Sequence, residues 1–172
     1  MLKFVSLAVL TAAGLGLAVP AHAGEVFGGV YAHAVNTPLS LDSSKESGID
    51  FQLGYRGNPL VLGLEPYVFG ALNSKGDTSY AAVGLSRKFG DRIFVRPGLG
   101  IAVHTGSSAK FTQPDRIGFG SRVLFEPEIG VGVRVSPRAT IEASWVHMSH
   151  AQLFAHQNPG IDNIGARFSL AL

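Results

Sequence analysis

The sequence predicts an all-β protein, specifically an eight-stranded antiparallel up-and-down β-barrel of the outer-membrane type. Two observations support this fold class. Apolar side chains alternate with small or polar ones at a period of two along much of the chain, as in β-strands with two different faces. Charged residues make up only 15% of the 172 residues, whereas ordinary soluble domains contain about 25%. So low a charge indicates that something other than water faces much of the protein.

The N-terminal segment predicts a secretory signal peptide. Lys3 supplies a positive charge, residues 4–19 form an apolar run, and residues 21–23 (Ala-His-Ala) are a small-x-small cleavage signature. The run falls short of the ~20 apolar residues that a membrane-spanning helix needs. We therefore expect residues 1–23 to be removed, which leaves residues 24–172 as a single β-barrel domain.

The alternation defines eight candidate strands. Residues 121–135 show it clearly, because Phe125 belongs to an apolar face and Glu128 to a polar one. The same split recurs in residues 92–104 and 48–56, whereas the facing of the first strand is ambiguous. The predicted strands are residues 26–34, 48–56, 64–72, 79–89, 92–104, 121–135, 138–149 and 162–172. An even number suits a closed barrel.

The polar face of these strands combines glycine with residues of both charges. Small residues suit the narrow interior of a small barrel, where opposite charges can pair. We expect such interior pairing among Arg96, Arg134, Arg167, Glu126, Glu128 and Glu142. The apolar face would then meet lipid.

The connections between the strands alternate in length. Residues 90–91 and 136–137 form short links. The longer connections lie near residues 36–47, 73–78, 105–120 and 150–161. Short turns at one end of a barrel and long loops at the other are typical of outer-membrane proteins.

The composition excludes several classes of partner. With 14 basic and 12 acidic residues, the net charge of +2 is too weak for a nucleic-acid-binding protein. The chain contains no cysteine, so disulfides and thiolate metal sites cannot form. The histidines lack the spacing of a metal site, and we expect no metal. The sequence leaves a homodimer open.

Polar residues interrupt the apolar row at the ends of the last two predicted strands. In strand 138–149 the row ends in His147 and Ser149, and in strand 162–172 it begins with Asp162. Antiparallel pairing brings these three residues to one rim and one outer surface of the barrel. A hydroxyl, an imidazole and a carboxylate are the minimum set for acyl transfer. The alternative is that they are interfacial polar residues at the start of a loop.

The segment S-W-V-H-M-S-H-A-Q-L-F-A-H-Q-N-P-G-I-D-N-I-G-A-R-F resembles the PagL-type lipid A 3-O-deacylases of Gram-negative outer membranes. The resemblance is specific in the residues from His147 to Phe168. Before His147, it is limited to the predicted eight-stranded barrel and the signal peptide. It implies an exported outer-membrane enzyme that acts on lipid A, the lipid part of lipopolysaccharide. It implies His147 as general base, Ser149 as nucleophile and Asp162 as orienting acid, on the outer wall at the outer-leaflet side. Such a triad requires neither a metal nor an organic cofactor.

The sequence departs from the family pattern at two places. The family usually continues Ser-Asn-Ala-Gly, whereas Ser149 is followed here by His150, Ala151 and Gln152. We therefore consider Asn158, together with backbone N–H groups of its turn, as the candidate oxyanion donor. The acid is an aspartate, one methylene shorter than the glutamate of better-known members.

Two other functions remain open from the sequence. The chain could be a non-catalytic outer-membrane barrel with a structural or adhesive role, in which the polar row ends are interfacial residues. It could also be a soluble periplasmic β-barrel that binds lipid in its interior.

Overall fold

The computed structural model describes residues 24–40, 45–111, 113–151, 153 and 159–172. The predicted signal peptide lies outside these residues and stays a prediction. Among the residues described, no helix is long and apolar enough to cross a membrane.

The chain forms eight antiparallel strands that close into a barrel. Each strand pairs with its neighbours along the chain, and the first strand pairs with the last. The predicted ends of all eight strands are correct to within two residues. The strands are β1 (Gly24–Ala32), β2 (Ile49–Gly57), β3 (Leu64–Asn73), β4 (Tyr80–Arg87), β5 (Ile93–His104), β6 (Val123–Arg134), β7 (Ala139–Met148) and β8 (Ile161–Ala171).

A two-residue segment, Phe89–Gly90, follows β4 after a break at Lys88. It pairs with β5 in the same register as β4 does, with Phe89 opposite Val95. This segment therefore continues β4, and the barrel has eight strands around its circumference.

The alternation along each strand separates an apolar outer face from an interior face. In β5, Ile93 and Leu99 are exposed, whereas Phe94 and Arg96 are buried inside the barrel. The facing of β1, which the sequence left ambiguous, is settled by Phe27 and its buried partners on the inside. The barrel is thus apolar outside and contains aromatic, polar and charged side chains inside, whereas a soluble β-sandwich keeps its ionic residues outside.

The interior is filled by aromatic rings and ion pairs. Phe69 lies 6.2 Å from Phe27 and 5.8 Å from Tyr80, between ring centroids and with edge-to-face geometry. Arg167 contacts Glu128 at 2.7 Å and Glu142 at 3.0 Å. The predicted interior pairing is confirmed at these positions, since all three charged side chains are almost fully buried.

Two of the residues expected in this pairing behave differently. Arg134 is not an interior residue, because it lies at the end of β6 and pairs with Asp91 on the barrel rim. Glu126 is inside, but it accepts a hydrogen bond from the Tyr67 hydroxyl. The prediction for Arg134 was wrong because strand alternation stops defining an interior where the barrel wall ends.

The two ends of the barrel differ. Residues 58–63, 91–92 and 135–138 connect strands at the end of the barrel where β1 begins and β8 ends. The described parts of the longer connections 33–48, 74–79, 105–122 and 149–160 lie at the opposite end. The end with the longer connections also holds His147, Ser149 and Asp162, the polar residues that interrupt the apolar rows of the last two strands.

Candidate active site

The β7–β8 pair brings the predicted site residues together. Its register sets His147 directly opposite Asp162. Ser149 follows β7, yet its backbone pairs with Phe125 of β6, with N–H···O distances of 2.8 and 3.1 Å. Both neighbouring strands therefore fix the backbone around His147.

The three side chains form a continuous hydrogen-bonded chain. The His147 Nδ1 atom lies 2.8 Å from Asp162 Oδ1, and its Nε2 atom lies 3.0 Å from the Ser149 hydroxyl oxygen. With a proton on Nδ1, the imidazole donates to the carboxylate and its Nε2 accepts from the serine hydroxyl. This arrangement can remove a proton from Ser149 during nucleophilic attack.

Asp162 has three further polar contacts. Its Oδ1 atom accepts from the indole N–H of Trp145 at 2.8 Å. Its Oδ2 atom accepts from the hydroxyls of Ser40, at 2.6 Å, and of Thr37. Asp162 is 0% exposed, so these donors replace the water that an ionised carboxylate would otherwise need.

The site residues keep the parity of the lipid-facing row, but the site is largely covered. His147 is 8% exposed and Ser149 is 7% exposed. The Trp145 ring is stacked beside the His147 ring, with centroids 5.8 Å apart and an interplanar angle of 25°. Ser149 is therefore much less exposed than strand alternation alone suggests.

Sequence reasoning missed Thr37, Ser40 and Trp145. Trp145 precedes His147 by two residues on the same face of β7, and this spacing was a usable signal. The two hydroxyl residues belong to the first long loop, more than a hundred residues from Asp162. No periodicity in the sequence indicates that a loop folds over a particular rim residue.

The predicted oxyanion donor Asn158 lies outside the described residues. The nearby Gly160 is buried, and a Cβ atom built there would lie 2.6 Å from His147 Cε1. Glycine therefore lets the backbone before β8 lie against the imidazole. His150, which replaces the asparagine of the family pattern, is 0% exposed and its carbonyl accepts from the Leu153 N–H at 3.0 Å.

The other histidines of the described chain have partners elsewhere. His33 lies 2.9 Å from Asp50 and 3.2 Å from Glu46, and His104 donates to the Ser121 carbonyl at 2.8 Å. Within the described ranges, no three His, Asp or Glu side chains are grouped closely enough to hold a metal ion.

Three solved structures have folds similar to this one. The crystal structure of the outer membrane enzyme PagL aligns over 85% of this chain and 98% of its own, with 21% identity and a TM-score of 0.56. Neisserial surface protein A (NspA) aligns over 86% of this chain and 96% of its own, with 13% identity and a TM-score of 0.51. A de novo designed transmembrane β-barrel aligns over 87% and 95%, with 12% identity and a TM-score of 0.51. These similarities establish the fold.

The sequence itself matches a family. No curated protein sequence matches the chain significantly. The family model described as lipid A 3-O-deacylase (PagL) matches residues 31–171, a region that includes β7, β8 and the first long loop. Because this match spans most of the chain, the protein belongs to the lipid A 3-O-deacylase (PagL) family.

Proposed function

We propose that this protein is an outer-membrane serine esterase that hydrolyses the 3-O-linked acyl chain of lipid A. The hydrogen-bonded chain from Ser149 through His147 to Asp162 carries this proposal. Family membership supports lipid A as the substrate and deacylation as the reaction. The geometry supports a triad mechanism, in which no other group is needed to activate the serine.

The reaction follows from the three side chains. As the Ser149 oxygen attacks the acyl carbonyl carbon, His147 Nε2 accepts the hydroxyl proton and Asp162 stabilises the imidazolium. The tetrahedral intermediate collapses, the bond to the sugar oxygen breaks, and His147 returns the proton to that leaving oxygen. Water then attacks the acyl-serine with His147 again as base, and this step releases a fatty acid and restores Ser149.

The position of the site suits a substrate that lies in the membrane. Phe125, opposite Ser149, and Ile129, opposite Trp145, are exposed on the outer wall of β6. An acyl chain in the bilayer can lie along this apolar wall while its ester reaches the rim. The site is at the end with the long loops, which supports a location in the outer leaflet of a Gram-negative outer membrane.

The filled interior argues against a soluble lipid-binding barrel. A ligand-carrying barrel encloses an apolar cavity, whereas Arg96, Arg167 and Glu142 are buried inside this one. The exposed apolar side chains of the wall instead fit a barrel surrounded by lipid.

Mass spectrometry of lipid A tests the proposed function. Lipid A would be extracted from cells that express the wild-type protein, the Ser149→Ala variant or the Ser144→Ala variant. We expect loss of one 3-linked acyl chain with wild type and with Ser144→Ala, whose altered residue faces the interior. We expect intact lipid A with Ser149→Ala. Deacylation that persists in Ser149→Ala would contradict the proposed nucleophile, and unchanged lipid A with wild type would contradict the proposed activity.

A further inference from the structure

The two carboxylate oxygens of Asp162 have different kinds of donors. Oδ1 accepts from His147 Nδ1 and Trp145 Nε1, each at 2.8 Å. Oδ2 accepts from the hydroxyls of Thr37 and Ser40. The acid is fully buried at this junction of β7, β8 and the first long loop.

The groups around the two oxygens differ in whether they can also accept a hydrogen bond. An indole N–H is a donor only, so the atom that faces Trp145 must be an acceptor. A hydroxyl can rotate and either donate or accept. The Thr37 hydroxyl already does both, since it donates to Asp162 and accepts from the Leu39 N–H at 3.1 Å. Only the side shared by Trp145 and His147 therefore has a fixed hydrogen-bond polarity.

We propose that Trp145 is a positioning residue that assigns an acceptor oxygen of residue 162 to His147, while Thr37 and Ser40 hold the opposite atom. This inference rests on the proposed function, because it concerns how the acid orients the base of the triad. A carboxylate satisfies both sides in either orientation, so the role of Trp145 is hidden in the wild-type protein. An amide at position 162 makes it visible, because the two amide atoms differ.

Because of Trp145, we expect Asp162→Asn to lose less activity than the same change does in other triads. In a triad where an amide NH₂ faces the imidazole, the wrong tautomer forms and turnover falls by ~10⁴. Here the Trp145 N–H directs the amide oxygen toward itself and His147, and the NH₂ group can donate to Thr37 and Ser40. His147 keeps its proton on Nδ1 and its free Nε2. We expect Asp162→Asn to lose only the effect of the charge, on the order of 10²-fold in kcat.

The test is a double-mutant cycle on lipid A hydrolysis by the purified, refolded full-length barrel. It compares wild type, Trp145→Phe, Asp162→Asn and the double variant, with folding checked by electrophoretic mobility without heating. In the aspartate background, Trp145→Phe should reduce kcat by less than ~10-fold, the usual effect of one lost hydrogen bond. In the asparagine background, the same change should cost a further ~10²-fold, because the amide is then free to turn its NH₂ toward His147.

A second pair of variants keeps the test decisive if Trp145→Phe does not fold. In the asparagine background, Thr37→Val removes an acceptor for the amide NH₂ and should lower kcat by ~10-fold, whereas Thr37→Ser keeps the hydroxyl and should not. For a merely structural residue, each substitution would have the same effect in both backgrounds.

Two results would overturn the positioning role. One is that Trp145→Phe lowers kcat by the same factor in the aspartate and asparagine backgrounds. If Trp145→Phe does not fold, the corresponding result is that Thr37→Val lowers kcat by the same factor in both backgrounds. The other is Asp162→Asn with no more activity than Ser149→Ala. Substantial hydrolysis by Ser149→Ala is a different outcome, because it would reject the proposed nucleophile itself.

Discussion

Ser149 depends on two strands for its position. It follows the last residue of β7, and its backbone hydrogen bonds go to Phe125 of β6. His147 is fixed on the other side by its register opposite Asp162. His147 therefore lies between a serine held by one neighbouring strand and a carboxylate supplied by the other. This geometry gives each side chain a distinct expected effect on catalysis.

The role of His147 can be tested by substitution. His147→Asn should lower kcat for lipid A hydrolysis by ~10⁴ or more, because no base remains to accept the serine proton. Steady-state hydrolysis by the purified barrel measures this effect. The neighbouring interior variant Met148→Leu conserves side-chain volume and serves as the control. A rate within tenfold of wild type for His147→Asn would contradict its role as general base.

The sequence predicted these residues more fully than it predicted their surroundings. Strand alternation predicted that His147, Ser149 and Asp162 lie together, because each interrupts an apolar row at the same rim, and the structure places them in contact. The structure adds Thr37 and Ser40, whose contacts with Asp162 depend on the path of a loop. Strand alternation specifies which face a residue occupies, but it carries no information about which loop covers that face.

The loops at the end of the barrel that holds the candidate site are joined through Glu46. Its carboxylate accepts from the N–H groups of Thr78, at 3.1 Å, and Ile117, at 3.4 Å, and contacts His33 at 3.2 Å. Three long connections thus meet at one buried side chain. The first of these connections also supplies Thr37 and Ser40. The contacts of Glu46 therefore help to hold the loop residues that donate to Asp162.

The contacts of His33 with Asp50 and Glu46 make the stability of the folded protein depend on pH. Burial lowers the pKa of His33, but hydrogen bonds with Asp50 and Glu46 outweigh it and raise the pKa to about 9. The protonated histidine stabilises the folded state fully below the unfolded pKa of about 6.5, and this contribution is lost as the pH rises through about 9. Wild type should therefore lose more stability than His33→Asn between pH 6 and pH 10. Urea-unfolding midpoints across this range measure the difference, and parallel curves for the two proteins would contradict the prediction.

Strand positions were predictable because the period of two persists along the entire wall. The ends of β5, for example, differ from the prediction by no more than one residue. The break at Lys88 was not visible, since the residues on either side of it keep one register. Arg134 was misassigned for the related reason that alternation does not indicate where the wall stops.

The whole molecule combines an apolar exterior with a charged interior. Ile93 and Leu99 are both exposed on the outer face of β5, but Leu99 lies near the middle of the strand and Ile93 at its end. Leu99→Lys should destabilise the barrel in bilayers by ~2–4 kcal/mol, and Ile93→Lys by only ~0–1 kcal/mol. Equilibrium unfolding in lipid vesicles measures both values. Equal costs would contradict a membrane centred on the strand midpoints.

The charged interior supplies a second prediction for the whole molecule. Arg167→Met leaves Glu128 and Glu142 buried without their closest cation. This change should lower the free energy of unfolding by ~3–5 kcal/mol, because each buried carboxylate then keeps only a more distant arginine, at 3.6 and 3.3 Å, and poorly compensated buried charge is costly. The exposed pair of Arg116 with Asp115 provides the control, and Arg116→Met should leave the unfolding midpoint close to that of wild type. Similar losses from the two variants would contradict a structural role for the interior network.

We propose that Ser149 is a nucleophile and that His147 activates it. The most direct measurement is covalent labelling with a fluorophosphonate, which reacts with activated serines, followed by peptide mass spectrometry. We predict that the label is found on Ser149 in the wild-type barrel and that His147→Asn strongly reduces labelling. A label on a different residue, or labelling of Ser149 that is unchanged in His147→Asn, would contradict the claim.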